Sequence, residues 1–185
     1  MQLNYADFVR TVISQLNRLR IEYAVTGALA VSYYGRPRTT IDVDVIIRAE
    51  PSDFERLVEA FRKAKLQCSL QDFAKAWESG YNIVHLKGGR GLLLDIILTR
   101  DQIPRRKVTI LGKTSYLQEP GPLVLQKLRL MKITKDEEKR FIDRMDVLSI
   151  LKNAEVDVEE LRDLAGRQAT LDLLDELLTQ AEQPI

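Results

Sequence analysis

Two aspartates, Asp42 and Asp44, stand in an otherwise β-branched stretch that runs from Ile41 to Ile47. Because β-branched residues favour strands, this stretch predicts a strand buried in a sheet. Side chains alternate between the two faces of a strand, so both carboxylates share one face, roughly 7 Å apart along the backbone. Two like charges in an apolar strand repel and lose hydration unless a cation lies between them. Since one or two carboxylates plus substrate phosphates are the usual ligands of Mg²⁺, the pair predicts a site for Mg²⁺ or Mn²⁺.

The same pair is also compatible with a solvated strand end at which the carboxylates pair with Arg36 or Arg38. The residues ahead of the strand favour the metal site. Residues 21–26 predict a short strand, Gly27 a tight turn, and residues 28–34 one or two helical turns. A strand, a glycine turn and a helix N-terminus together expose backbone N–H groups that can hold an anion such as a phosphate.

The stretch from Val25 to Ile47 resembles the signature of the DNA polymerase beta-like nucleotidyltransferase superfamily. The longer pattern G-small-x-A-x-x-x-x-G-x-x-R-x-T-x-D-x-D is most similar to the small prokaryotic branch that includes the abortive-infection nucleotidyltransferase toxins. The residues that match it are Gly27, Ala28, Ala30, Gly35, Arg38, Thr40, Asp42 and Asp44. The superfamily often has Ser or Gly at the position of Ala28, so this chain offers only backbone amides to a phosphate there.

The resemblance also implies a third carboxylate from a neighbouring strand. Asp95 is the single charge in the apolar run 92–98, which follows the glycine-rich turn at residues 88–91. The alternative is that the strand is assigned wrongly and that Asp95 lies at its edge. By resemblance, Asp42, Asp44 and Asp95 are the expected metal ligands of a two-metal site, and Asp95 is also the expected base for the incoming hydroxyl.

A second resemblance to the toxin-like branch lies downstream. Lys127 lies in a helical segment, and Arg140, Asp143 and Asp146 follow in the form R-x-x-D-x-x-D. A lysine that reaches a triphosphate would stabilise the charge that spreads over its oxygens, so Lys127 is an expected catalytic residue. Such charges are also common on solvated helix surfaces, which is the alternative for this motif. The resemblance implies a set of nucleotide-binding residues, namely Gly27, Ala28, Arg38, Thr40, Lys127, Asp143 and Asp146.

Composition limits the classes of protein that the chain can represent. Its 185 residues carry a net charge of only +1, which excludes a broadly basic nucleic-acid binder. Cys68 is the only cysteine, so no intramolecular disulfide forms, and His85, the only histidine, cannot build a zinc site with it. No signal peptide is apparent, and no apolar run approaches the ~20 residues of a membrane span. These features lead us to expect a cytoplasmic protein without a membrane partner.

Hydrophobic periodicity predicts strands and helices in the first part of the chain and helices alone in the last. A helix at 5–19 precedes the first strand, and two hairpins follow further on, at 81–86 with 91–99 and at 107–111 with 114–117. The helices after Pro120 are expected at about 120–133, 136–152, 156–165 and 169–181. We therefore expect an α/β (α+β) fold, with a mixed-sheet nucleotidyltransferase core at 1–118 and a helical C-terminal subdomain at 119–185.

The function that these patterns favour is metal-dependent transfer of a nucleoside monophosphate from a nucleoside triphosphate to an acceptor hydroxyl. RNA (a transfer RNA end in particular), a protein side chain and a small molecule all stay open as acceptors. The resemblance to the toxin branch also implies a toxin–antitoxin connection and a cognate antitoxin as partner. Two alternatives differ in class. One is a non-catalytic regulatory or binding protein of the same fold, and the other is a metal-dependent glycosyltransferase that uses D-x-D.

Overall fold

A six-stranded mixed sheet and two groups of helices make up the chain, which this computed structural model describes from residue 4 to residue 183 except for the side chain of Arg90. The elements, in chain order, are α1 (Tyr5–Leu19), β1 (Tyr23–Thr26), α2 (Gly27–Tyr34), β2 (Asp42–Arg48), α3 (Phe54–Lys63), α4 (Leu70–Glu78), β3 (Ile83–Lys87), β4 (Leu93–Thr99), β5 (Arg105–Ile110), β6 (Lys113–Gln118), α5 (Pro120–Ile133), α6 (Glu137–Asn153), α7 (Val158–Arg167) and α8 (Leu171–Ala181). This mixed α/β architecture confirms the predicted fold class.

The sheet has the strand order β3-β4-β2-β1-β6-β5. Two antiparallel hairpins, β3–β4 and β5–β6, form its two edges. Both hairpins were predicted from the sequence, whereas their positions at the edges were not. Strand β2 lies in the interior, where it pairs antiparallel with β1 and parallel with β4. The parallel pairing requires a crossover, and the chain between β2 and β4 supplies it with α3, α4 and β3.

The chain divides into two compact units, and one change of unit falls within α2. Unit 1 comprises Met1–Leu29 and Thr39–Gln118, and it contains the whole sheet. Unit 2 comprises Ala30–Arg38 and Glu119–Ile185, and it contains α5 to α8. The functional division into a core at 1–118 and a subdomain at 119–185 stays a prediction.

Strand β2 is buried on one face and half-buried on the other. Val43, Val45 and Ile47 are fully buried, whereas Asp42, Asp44 and Ile46 on the opposite face keep partial exposure. The expectation of a strand over residues 41–47 is thus shifted by one residue, since Ile41 is 64% exposed and β2 begins at Asp42. Because Asp42 and Asp44 keep partial exposure, their carboxylates lose less hydration than fully buried charges would.

The core of unit 1 combines the buried face of the sheet with apolar residues of the helices. Helix α1 begins at an N-cap, Asn4, whose side chain accepts a hydrogen bond from the Asp7 N–H, and it buries residues such as Phe8 and Leu16. Leu19, the last residue of the helix, is only half-buried. Within residues 4–183, none of the helices has the length and apolar character that a bilayer crossing requires.

Candidate active site

A row of polar residues crosses the half-buried face of the sheet. Asp44 of β2 is paired with Thr26 of β1 on one side and with Asp95 of β4 on the other. Asp95 is in turn paired with His85 of β3. Residues paired directly across neighbouring strands point to the same face, so these four side chains form one transverse row. Neighbouring strands lie about 4.8 Å apart, which brings the Asp44 and Asp95 carboxylates side by side.

The third predicted carboxylate, Asp42, lies two residues before Asp44 on the same face of β2. The hydroxyl of Tyr5, on α1, donates a hydrogen bond to the Asp42 carbonyl oxygen at 3.1 Å. Burial, and then the negative charges of Asp44 and Asp42, raise the pKa of Tyr5 to about 12. The pKa of Tyr5 is thus raised mainly by burial, and the negative charge at this end of β2 adds to the shift.

Gly27 joins β1 to α2 and makes room for the Asp44 carboxylate. Its backbone has φ +59°, in the left-handed region that favours glycine. A Cβ at this position would lie 2.0 Å from Asp44 Oδ2 and 2.6 Å from Asp44 Cγ. From the sequence, Gly27 was expected to lie at a phosphate-binding turn. The closeness of the Asp44 carboxylate is a further, local reason for a glycine at this position.

Two further motif residues in unit 1 have local roles. The Thr40 hydroxyl accepts a hydrogen bond from the Asp42 N–H at 3.1 Å and lies 3.2 Å from the Asp42 carbonyl oxygen, to which it donates. Thr40 therefore supports the backbone at the first residue of β2. The side chain of Ala28, in the first turn of α2, is buried. Nucleotide contacts by Thr40 and Ala28 stay predictions.

Lys127, Asp143 and Asp146 of the downstream motif form a network within unit 2, whereas Arg140 is exposed. The Lys127 ammonium lies 2.7 Å from Asp143 Oδ1 and 2.8 Å from Asp146 Oδ2, and Arg38 Nε lies 3.3 Å from Asp146 Oδ1. The side chains of Lys127 and Asp146 are each only 6% exposed. The alternative of a solvated surface motif is therefore wrong for Lys127 and Asp146. Nucleotide contacts by Arg38, Lys127, Asp143 and Asp146 stay predictions.

Another close contact in unit 2 explains the second glycine of the motif. A Cβ on Gly35 would lie 2.4 Å from the Ser149 hydroxyl oxygen and 2.9 Å from the Ser149 carbonyl carbon on α6. The same hydroxyl accepts a hydrogen bond from the Arg36 N–H. Gly35 is thus required by the approach of its own segment to α6, a contact that the sequence analysis did not anticipate.

His85 is the residue at this site that the sequence analysis missed. Its Nδ1 lies 2.8 Å from Asp95 Oδ1, and the two side chains are 60% and 30% exposed. From the sequence, His85 was considered as a zinc ligand together with Cys68, and that role was excluded. A signal was available, because a hairpin centred on residue 90 places residue 85 opposite residue 95.

The carboxylates of Asp42, Asp44 and Asp95 fit a divalent cation whose remaining ligands come from a substrate. Within residues 4–183, no group of three or more His, Cys, Asp or Glu side chains is arranged to hold a metal ion on its own. Asp44 and Asp95 are nevertheless adjacent, and Asp42 lies on the same face. Hard oxygen donors of this kind, completed by phosphate oxygens, are the usual setting of Mg²⁺.

Solved structures of nucleotidyltransferases share this fold. The antibiotic-resistance factor ANT(2'')-Ia superposes with a TM-score of 0.62 at 10% sequence identity, over 92% of this chain and 95% of that protein. A crystal structure of ANT(2'')-Ia in complex with adenylyl-2''-tobramycin gives 0.61 at 10% identity, over 91% of this chain and 98% of that one. An antigenic nucleotidyltransferase-like protein from Paracoccidioides brasiliensis gives 0.54 at 16% identity, over 95% and 94% of the two chains. Lincomycin-bound lincosamide antibiotic adenylyltransferase LnuA gives 0.51 at 11% identity, over 77% of this chain and 96% of that one.

The chain therefore has a nucleotidyltransferase fold. Comparison with protein-family models and with curated proteins gives no match. Sequence identities of this size show the fold alone, and they confirm the resemblance to the nucleotidyltransferases at that level. Placement in the abortive-infection branch stays a prediction.

Proposed function

We propose that this chain is a metal-dependent nucleotidyltransferase that transfers a nucleoside monophosphate from a nucleoside triphosphate to an acceptor hydroxyl and releases pyrophosphate. One observation carries the proposal. Asp44 and Asp95 are paired across parallel strands, with Asp42 on the same face, in a chain with a nucleotidyltransferase fold. Carboxylates that lie side by side repel one another when no cation lies between them, which supports a binding role over a structural one.

Asp42, Asp44 and Asp95 would hold Mg²⁺ or Mn²⁺ together with phosphate oxygens of the nucleotide. When bound, the cation supplies positive charge that stabilises the oxygens of the transferred phosphate group. Backbone N–H groups in the first turn of α2, beginning at Gly27, would bind a phosphate through the partial positive charge of the helix N-terminus. Asp95 would also accept the proton of the acceptor hydroxyl.

A hydroxyl of a small molecule is the acceptor that we propose to test first. Two solved structures with this fold support that choice, one with lincomycin bound and one with adenylyl-2''-tobramycin. The net charge of +1 provides no general attraction for RNA. The resemblance of the motif supports two other acceptors, RNA and a protein hydroxyl, and it supports a cognate antitoxin as partner. These are to be tested next.

Calorimetric titration of each nucleoside triphosphate, with and without Mg²⁺, tests the proposal. The wild-type chain should bind at least one of them more tightly with Mg²⁺, and it should release pyrophosphate when an acceptor is supplied. Asp44→Asn should lose the metal-dependent part of the binding. It should keep or raise the melting temperature without metal, because it removes like-charge repulsion.

Asp101→Asn, at an exposed loop position, is the matched control and should behave as wild type. Equal binding by wild type and Asp44→Asn would contradict the proposal. Nucleotide binding without a metal effect and without pyrophosphate release would instead indicate a non-catalytic binding protein of the same fold.

A further inference from the structure

The histidine that lies beside Asp95 is held by the register of the sheet. His85 and Asp95 are direct partners in the antiparallel β3–β4 pair, and the His85 Nδ1 to Asp95 Oδ1 distance is 2.8 Å. An ionised carboxylate only accepts hydrogen bonds, so Nδ1 carries the proton and donates it. The interaction therefore has the orientation that fixes both the tautomer of the imidazole and the rotation of the carboxylate.

The order of the strands determines what this hydrogen bond does to Asp95. Strand β4 lies between β3, which carries His85, and β2, which carries Asp44. A carboxylate whose Oδ1 is engaged on the β3 side directs its other oxygen towards β2. The hydrogen bond thus turns Asp95 towards the row of aspartates.

We propose that His85 is a positioning residue, whose Nδ1–H holds the Asp95 carboxylate in the orientation that presents Oδ2 to a divalent cation shared with Asp44. This inference rests on the proposed function. Hydrogen-bond donors behind a metal-binding group commonly change metal affinity by 10–100-fold when they are removed. The His85 side chain should contribute little to the stability of the fold, because it is 60% exposed and buries little surface.

Three substitutions separate positioning from other effects. His85→Ala removes the donor. His85→Asn places an amide N–H near the position of Nδ1, and His85→Gln places the amide one bond further along the side chain. If His85 acts through Nδ1–H, Asn should preserve its role, whereas Gln and Ala should not.

The readout is the ratio of nucleotide affinities measured with and without Mn²⁺, for the nucleoside triphosphate that the wild-type chain binds best. His85→Ala and His85→Gln should lower this ratio about 10–100-fold, with metal-free affinity unchanged. His85→Asn should keep it within about threefold of wild type, since it restores the donor. Lys87→Ala, an exposed position on the same face of β3, should leave the ratio unchanged.

The outcomes distinguish a failure of the positioning role from a failure of the proposed function. A wild-type ratio in His85→Ala, or equal losses in His85→Asn and His85→Ala, overturns the positioning role and leaves the proposed function standing. A wild-type chain with no metal-dependent gain in affinity overturns the proposed function and, with it, this inference. Melting temperatures of all variants show whether any of them is misfolded. If His85→Ala is misfolded, the comparison of His85→Asn with His85→Gln tests the positioning role.

Discussion

Lys127 on α5 contacts two carboxylates that are three residues apart on α6. Because the side chains of Lys127 and Asp146 are nearly inaccessible, removing the ammonium leaves negative charge in a poorly hydrated place. We expect Lys127→Ala to lower the free energy of unfolding by about 3 kcal/mol, measured by urea denaturation. Arg129→Ala removes an exposed cation from the same helix and should change it by less than about 0.5 kcal/mol. Small, equal effects would show that the buried network contributes nothing measurable to stability.

We expect Tyr5 to make the stability of the chain depend on pH in the alkaline range. The pKa of Tyr5 is raised to about 12 by burial and by Asp44 and Asp42, whereas an unfolded tyrosine releases its proton near pH 10. Between these values the folded state holds a proton that the unfolded state has lost, so stability falls as pH rises. Tyr5→Phe should therefore lose less stability than wild type between about pH 10 and 12, measured by urea midpoints. Tyr81→Phe, which removes an exposed hydroxyl, is the control, and identical curves for wild type and Tyr5→Phe would contradict the expectation.

At the scale of the secondary-structure elements, the junction of β1 and α2 leaves no room for a side chain at Gly27. Gly27→Ala combines a positive φ, which costs a non-glycine residue about 1 kcal/mol, with a collision against the Asp44 carboxylate. We expect it to destabilise the chain and to abolish metal-dependent nucleotide binding. Gly112→Ala provides a matched control, because φ there is +76° and an added Cβ meets nothing within 4 Å. It should show the conformational cost alone, and equal effects of the two substitutions on stability and binding would rule out the collision with Asp44.

Local patterns were sufficient to predict most elements of this fold. The helices at 5–19 and 120–133 and both hairpins were predicted to within a few residues, because periodicity and glycine turns act over short stretches of chain. The shared face of Asp42 and Asp44 followed from strand geometry alone. The adjacency of Asp44 and Asp95 was supplied only by resemblance, because the pairing of β2 with β4 depends on a crossover of more than forty residues. The burial of Lys127 depends on the packing of α5 against α6, on which the sequence motif carries no information.

At the scale of the whole molecule, unit 2 is assembled from two separate stretches of chain. Ala30–Arg38 groups with the C-terminal helices, and two of its contacts are the Arg36 N–H to Ser149 hydrogen bond and the ion pair of Arg38 with Asp146. A fragment of residues 119–185 lacks these contacts, so it should melt at a lower temperature than the same fragment joined to residues 30–38 by a flexible linker. Circular dichroism melting measures the difference. A joined segment carrying Arg38→Ala should recover less of the stability, and a fragment equally stable without the segment would contradict the expectation.

The strands that carry Asp44 and His85, two members of the polar row, differ in how firmly the sheet holds them. Asp44 belongs to β2, which has a hydrogen-bonded neighbour on each side, whereas His85 belongs to β3 at an edge of the sheet. Amide hydrogen exchange should therefore be slowest around Asp44 and faster along the outer side of β3, because edge strands open locally at lower free-energy cost than central strands. Warming would loosen the histidine end of the row while the aspartate strand is still closed. If His85 orients Asp95, metal affinity should then decline at temperatures at which the rest of the sheet is still folded.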